Sequence, residues 1–220
     1  MRLLDLLLPL RCAVCGVGGE QLCDRCRETL SRLLPPLCER CGAPTAWPVA
    51  RCRECSGRRL AFASARSAVA YDDAVRRLVA GWKEHGLRRL AAVVADLVFE
   101  TLRSPQAPAL AFVPADRDRA LRRGHHPAER LAHELGERWS LPVLSLLERS
   151  RAVPRQTGLE LTERRRNMSG AFRANGPSPR AVAVVDDVYT SGATAAAAAS
   201  ALRKAGARRV EIITFARAVR

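Results

Sequence analysis

Ala181-Val-Ala-Val-Val185 is an unbroken apolar run rich in β-branched residues, the pattern of a strand buried on both faces. Asp186 and Asp187 close it, and Thr190-Ser191-Gly192-Ala193-Thr194 follows as a stretch of small and hydroxyl residues. The alanine-rich run from Ala195 to Ala205 then predicts a helix that Gly206 caps. Upstream, strand and helix patterns alternate. Strands are expected at Ala65–Tyr71, Ala109–Ala115 and Leu141–Leu146, with a last one at Arg209–Phe215. Asp72–Ala80 carries Ala74, Val75, Leu78 and Val79 at helical spacing, and Leu87–Leu102 continues as a second amphipathic helix. A further helix is expected at Ala128–Trp139, with Leu131, Ala132 and Leu135 inward, and a short one at Thr162–Asn167. Trp82 and Lys83 fall between the first two helices; Lys83 could reach an anionic substrate, but a solvated side chain is the preferred reading.

The first 60 residues follow another rule. Eight cysteines form four Cys-x-x-Cys pairs, at Cys12/Cys15, Cys23/Cys26, Cys38/Cys41 and Cys52/Cys55. Two such pairs complete a tetrahedral four-thiolate zinc site, and a closed shell of that kind is structural rather than catalytic. Gly16 and Gly42 follow the first and third pairs, as a zinc-knuckle turn requires. Sequential pairing leaves spacers of seven and ten residues and is preferred; a cross-braced pairing, or one full site beside a degenerate one, stays open. One or two zinc ions would staple a segment with too little apolar core to fold alone. The chain therefore divides into a zinc module over residues 1–60 and an α/β domain over 61–220.

The strand–loop–helix unit at Asp186–Thr194 has two chemical halves. A helix N-terminus offers unpaired N–H groups and partial positive charge, and the hydroxyls of Thr190, Ser191 and Thr194 add donors, so a phosphate fits there. The carboxylates of Asp186 and Asp187 would repel that phosphate at the same spot, but suit neutral hydroxyls or a magnesium ion a short distance away. A sugar phosphate satisfies both halves. Neither a Gly-Lys-Ser/Thr nucleotide loop nor a Gly-x-Gly-x-x-Gly fingerprint is present.

Charge and composition narrow the setting. The net charge is +15, a field attractive to nucleic acid, although a compositional bias toward arginine and alanine would produce it too. Arg51, Arg53, Arg58 and Arg59 lie in the zinc module, where arginine-rich ribbons can contact nucleic acid. Asp5 and Pro9 interrupt the apolar start, which reads as a packing helix rather than a signal peptide. No apolar run is as long as a membrane span, so a cytoplasmic protein without membrane insertion is expected. After the Ala109–Ala115 strand comes a loop with Arg117, Arg119, Arg122 and Arg123, placed where open α/β sheets bind ligands and suited to pyrophosphate oxygens. His125 and His126 are adjacent and point apart, with no acid or cysteine near enough in sequence to complete a ligand set. The polar, basic segment Arg149–Phe172 has the length of a functional loop.

Asp186-Asp187-Val188-Tyr189-Thr190-Ser191-Gly192-Ala193-Thr194 resembles the phosphoribosyl pyrophosphate (PRPP) loop of type I phosphoribosyltransferases. With the cysteine module, Val113-Pro114 and the arginines behind it, Gln156-x-x-Leu159, Arg164, Asn167 and Gly170-Ala-Phe172, nearly the whole chain resembles the ComF family of competence-associated, phosphoribosyltransferase-like proteins. Many members carry Phe-Asn-Gln where this chain has His125-His126-Pro127. The resemblance implies a parallel sheet with helices on both faces, the PRPP loop at its carboxyl edge and a hood over the site. By that analogy Asp186 and Asp187 take the ribose hydroxyls and Thr190–Thr194 cradle the 5′-phosphate. Arg117, Arg119 and Arg123 face pyrophosphate, while Arg155 and Gln156 belong to the lid. Purine-salvage relatives in the wider superfamily carry a further acid three positions after the pair; here Thr190 stands there, which argues against a purine acceptor. The resemblance implies magnesium-dependent PRPP binding and a link to DNA uptake in natural transformation. The alternative is a non-catalytic factor that binds single-stranded DNA and retains the loop.

Overall fold

The computed structural model describes residues 10–83, 87, 89–116, 125–150 and 170–219. Within them the elements are α1 (Asp24–Glu28), β1 (Ser64–Ala70), α2 (Asp73–Lys83), α3 (Leu90–Thr101), β2 (Leu110–Phe112) and α4 (Pro127–Trp139), followed by β3 (Val143–Leu144), β4 (Leu147–Arg149), β5 (Phe172–Ala174), β6 (Ala181–Tyr189), α5 (Ala193–Lys204) and β7 (Arg209–Arg217). The main sheet runs β1-β7-β6-β2-β3 with every pair parallel, and β4 and β5 form a separate antiparallel ribbon. The expected helices at Thr162–Asn167 and before Pro9, with Arg117, Arg119, Arg122, Arg123, Gly124, Arg155, Gln156, Leu159, Arg164 and Asn167, lie outside the described residues.

The centre of the sheet is β6 against β7, each nine residues long. Their alternation sorts the core. Ala183 and Val185 of β6 and Ile213 and Phe215 of β7 face one side, with α2, α3 and α4. Val182, Val184, Val210 and Ile212 face the other, with α5 and the Leu147–Phe172 ribbon. A two-residue period puts successive side chains on opposite faces, and both faces here are apolar and covered.

Several boundaries differ from the sequence expectation. β6 does not stop at Val185: it continues through both aspartates to Tyr189, because β7 continues beside it, with Asp186 opposite Thr214 and Tyr189 opposite Arg217. The Leu141–Leu146 strand shortens to two residues, and a further strand begins just past its expected end. Val143–Leu144 joins the main sheet, whereas Leu147–Arg149 turns away to pair with Phe172–Ala174. α2 carries on through Trp82 to Lys83, with Trp82 fully buried, and its start is held by the Asp72 carboxylate accepting from the Val75 N–H at 2.9 Å. Ser140, in the left-handed conformation, ends α4.

The eight cysteines gather in the sequential pairing, Cys12/Cys15 with Cys23/Cys26 and Cys38/Cys41 with Cys52/Cys55, the sulfurs of each set lying within 4.8 Å of one another. Sulfur separations of 3.5 Å (Cys41–Cys52), 3.6 Å (Cys38–Cys55) and 3.7 Å (Cys15–Cys23) are close to the edge of a tetrahedron built on Zn–S bonds of about 2.3 Å. The residues fit zinc. Burial raises the Cys12 thiol, but N–H groups of Cys15, Cys23 and Val14 outweigh it and hold it at about 6. Cys26, where burial acts with the neighbouring thiols, is pushed up to about 12. Each knuckle turns through a glycine, Gly16 at φ +78° and Gly42 at φ +70°. Gly42 has a second reason to be glycine: a Cβ there would collide with the Ala65 carbonyl.

The two clusters cover opposite faces of the sheet. Cys12, Leu22, Cys26 and Leu30 join the core of α2, α3 and α4, and Cys38, Cys41, Cys55 and Phe62 join that of α5. Between them the chain passes along β1, where the Leu33 N–H donates to the Ala68 carbonyl and the Ala70 N–H to Ser31, each within 2.9 Å. This covers what would be an open edge. Among the described residues no helix is long and apolar enough to cross a membrane. Purified protein is expected to hold two zinc ions per chain by metal analysis, and stripping them with a strong chelator should shift tryptophan emission to the red as Trp82 gains water. A chain that is folded with no zinc contradicts this.

Candidate functional site

The carboxyl end of β6 delivers Asp186 and Asp187 to the rim of the sheet, and the chain then turns through Thr190–Gly192 into α5. Gly192 sits at φ +72°, the left-handed region, and a Cβ there would strike the hydroxyl of Tyr189. Only glycine satisfies both conditions. The Ser191 hydroxyl accepts from the Ala193 N–H at 3.3 Å, tying the turn to the first helical residue. The first turn of α5 then leaves backbone N–H groups without helical partners, at the positive end of a 12-residue helix.

A cleft of about 350 Å³ opens beside this turn. Asp186, Asp187, Val188, Thr190 and Thr194 form one wall, and Val113, Pro114 and Asp116, past the end of β2, form another. Lys83, His126 and Arg149 complete it. The hollow inside the turn itself is only about 10 Å³, so the open approach to the turn is from the cleft side, at Thr190 and Thr194.

Of the nine predicted loop residues, five thus line the cleft. Tyr189, Ser191 and Ala193 are buried and support the turn from behind. Tyr189 packs edge-on against Phe62, with ring centroids 6.4 Å apart, and lies under the Arg217 guanidinium at 4.5 Å.

Three cleft residues were not singled out for this site by sequence. Lys83 is not the solvated side chain expected: it ends α2 as an ion pair with Asp187, the two side chains 22 % and 17 % exposed. The signal was the helical spacing Leu78, Val79, Trp82, which carries the helix past Gly81. Arg149, on β4, donates its Nε–H to the Pro114 carbonyl at 3.1 Å and lies over the Phe172 ring at 5.1 Å. His126 immediately precedes α4 and leans toward Glu129, 3.8 Å away, while His125 Nε2 lies 3.0 Å from the Trp82 carbonyl. The adjacent histidines do point apart, and only His126 reaches the cleft wall.

Burial first, then the neighbouring Asp187 carboxylate, push the Asp186 carboxyl up to about 7; Lys83 and the Asp187 N–H, which donates to Asp186 at 2.9 Å, pull the other way. Its surroundings therefore leave the charge of an ionised Asp186 only partly offset. Hydroxyl donors or a cation would offset it. Because the folded state holds this proton where the unfolded chain has lost it, Asp186 costs stability as pH rises from about 4 through 7. Asp186→Asn should therefore stabilise the ligand-free protein by about 1–3 kcal/mol at pH 8, and by nothing near pH 4, in urea unfolding. Equal stability of the two proteins at pH 8 would contradict the assignment.

Partial overlap with solved enzymes is seen for orotate phosphoribosyltransferase from Aeropyrum pernix (25 % identity, 67 % of each chain, TM-score 0.36). Adenine phosphoribosyltransferase from Thermoanaerobacter pseudethanolicus overlaps similarly (12 % identity, 69 % of this chain and 90 % of that one, TM-score 0.38). The five parallel strands, the flanking helices and the paired four-cysteine clusters define a parallel α/β protein with an N-terminal zinc-ribbon module. Residues 3–56 match the double zinc ribbon domain family. Competence protein F of Haemophilus influenzae is 31 % identical over 142 residues, a match spanning 62 % of this chain and 62 % of that protein. Competence protein ComFC of Streptococcus pneumoniae is 27 % identical over 155 residues, 70 % of this chain and 68 % of that protein. Over about two thirds of its length the chain is thus similar to ComF-type competence proteins.

Proposed function

We propose that residues 61–220 bind PRPP with magnesium in this cleft, that residues 1–60 buttress them as a zinc module, and that the protein serves DNA uptake in natural transformation. The observation that carries the ligand reading is the acid pair at the end of β6 sharing one cleft with the N-terminus of α5. A ribose diol answers the unbalanced charge on Asp186 and Asp187, and the 5′-phosphate takes the N–H and hydroxyl donors of Thr190 and Thr194. Magnesium, when bound with the pyrophosphate, supplies positive charge beside the acids. Lys83 would exchange its contact with Asp187 for pyrophosphate oxygens, and Arg149 would hold the same charge from the β4 side. Arg117, Arg119, Arg123, Arg155 and Gln156 are assigned to pyrophosphate and lid by family resemblance. Turnover would be displacement of pyrophosphate at the anomeric carbon by an acceptor, with these cations stabilising the departing charge. The competence role rests on the relatives' names.

Calorimetric titration of Mg-PRPP should give binding by the wild type that Asp186→Asn/Asp187→Asn loses by at least about tenfold, the scale of one lost charge-assisted contact. Folded, zinc-loaded wild type that does not bind refutes the ligand reading.

A second reading, a non-catalytic single-stranded-DNA factor, is favoured by the charge of +15 and by Arg58 and Arg59 bordering a separate groove of about 520 Å³ with Lys204 of α5. Its test is the salt dependence of oligonucleotide binding by fluorescence anisotropy. The logarithm of affinity should fall linearly with that of salt concentration, and absent binding at low salt would exclude this reading.

A further inference from the structure

The second zinc cluster touches the Thr190–Thr194 turn by two routes, and both run through arginine. Arg58, three residues past Cys55, donates from Nη2 to the Ser191 carbonyl at 2.7 Å and from Nη1 to the Glu54 carbonyl at 3.4 Å. Arg217, at the end of β7, is 1 % exposed. It donates to the Cys41 carbonyl at 2.6 Å, contacts the Cys41 sulfur at 3.7 Å and pairs with Glu54 at 2.7 Å. The same guanidinium lies over Tyr189, whose hydroxyl abuts Gly192. Cys41 is a member of the cluster, and Glu54 lies between its other members Cys52 and Cys55.

We propose that metal-bound closure of the Cys38–Cys55 cluster sets the conformation of the 190–194 turn, with Arg58 and Arg217 as the positioning residues that carry the coupling. In a planar trans peptide the C=O and the following N–H point in opposite directions. Fixing the Ser191 oxygen against Arg58 therefore also fixes the direction of the Gly192 N–H. Arg217 fixes the other side of the turn. A buried guanidinium must keep its partners, because removing one leaves an uncompensated charge, and here the partners belong to the cluster. Holding Arg217 holds Tyr189 by a cation–π contact, and Tyr189 is the surface on which Gly192 rests. When the cluster opens, both anchors loosen together, and the turn loses the support that preorganises its donors. Among the described residues the Cys12–Cys26 cluster has no such path, since Cys12 and Cys26 pack on the opposite face of the sheet.

Coupling of this kind would make ligand affinity at the turn depend on the zinc state of the second ribbon, a meaning that rests on the PRPP reading. The coupling itself is measured without ligand. Amide hydrogen exchange of full-length protein should show residues 190–194 exchanging about fivefold faster in Arg58→Ala, the scale of one lost hydrogen bond. Arg217→Lys, which keeps the charge but not the fork, should do the same. Cys52→Ser, which opens the cluster, should accelerate the turn more, and in all three variants α4 should exchange as in the wild type. Wild-type protection of the turn in both arginine variants, with two zinc ions retained, would overturn the proposal. It would do so whether or not PRPP binds. A Cys52→Ser chain that fails to fold leaves the decision to those two variants.

Discussion

Everything in this molecule answers to a parallel sheet that is apolar on both faces. β6 and β7 bury Val182, Val184 and Ile212 to one side and Val185, Ile213 and Phe215 to the other. Parallel sheets are stable when both sides are covered. Among the described residues past β1, three helices lie on one face and α5 with a short two-stranded ribbon on the other. The zinc ribbons complete both covers. Zinc sites suit this duty, because four thiolates fix a short segment that has little apolar surface of its own.

The same sheet explains the place of the site. Strand pairing carries β6 through its acids, so Asp186 and Asp187 sit at a rim where water is already partly excluded. That costs stability, and the cost is tolerated because the rim is where the strand end, the glycine turn and the helix N-terminus meet. Lys83 offsets part of the charge on Asp187. The arrangement is poised for a ligand with its own hydroxyls and anionic groups, rather than closed on itself.

Much of this was legible in the residues. The β-branched run before the acids, the glycine after the hydroxyls and the four Cys-x-x-Cys pairs are local signals, and each reports a local requirement: two-sided burial, a left-handed turn, a tetrahedral shell. The elements that shifted were decided by neighbours. Leu147–Arg149, just past the expected strand, pairs outside the main sheet with Phe172–Ala174, more than twenty residues away in the chain. The length of β6 was set by the length of β7.

The sequence by itself therefore determined the alternation of strands and helices, the sequential cysteine pairing as the preferred one, and the turn that brings acids and hydroxyls together. These depend on periodicity and on residues close in the chain. Only the tertiary structure decided that Lys83, His126 and Arg149 meet the acid pair, that the two ribbons cover opposite faces, and that Arg217 joins Cys41 and Glu54 to Tyr189. Those contacts cross 28 to 176 positions of chain, and no local pattern encodes them, because a buried arginine is placed by whichever carbonyl and carboxylate the packed layers bring to it.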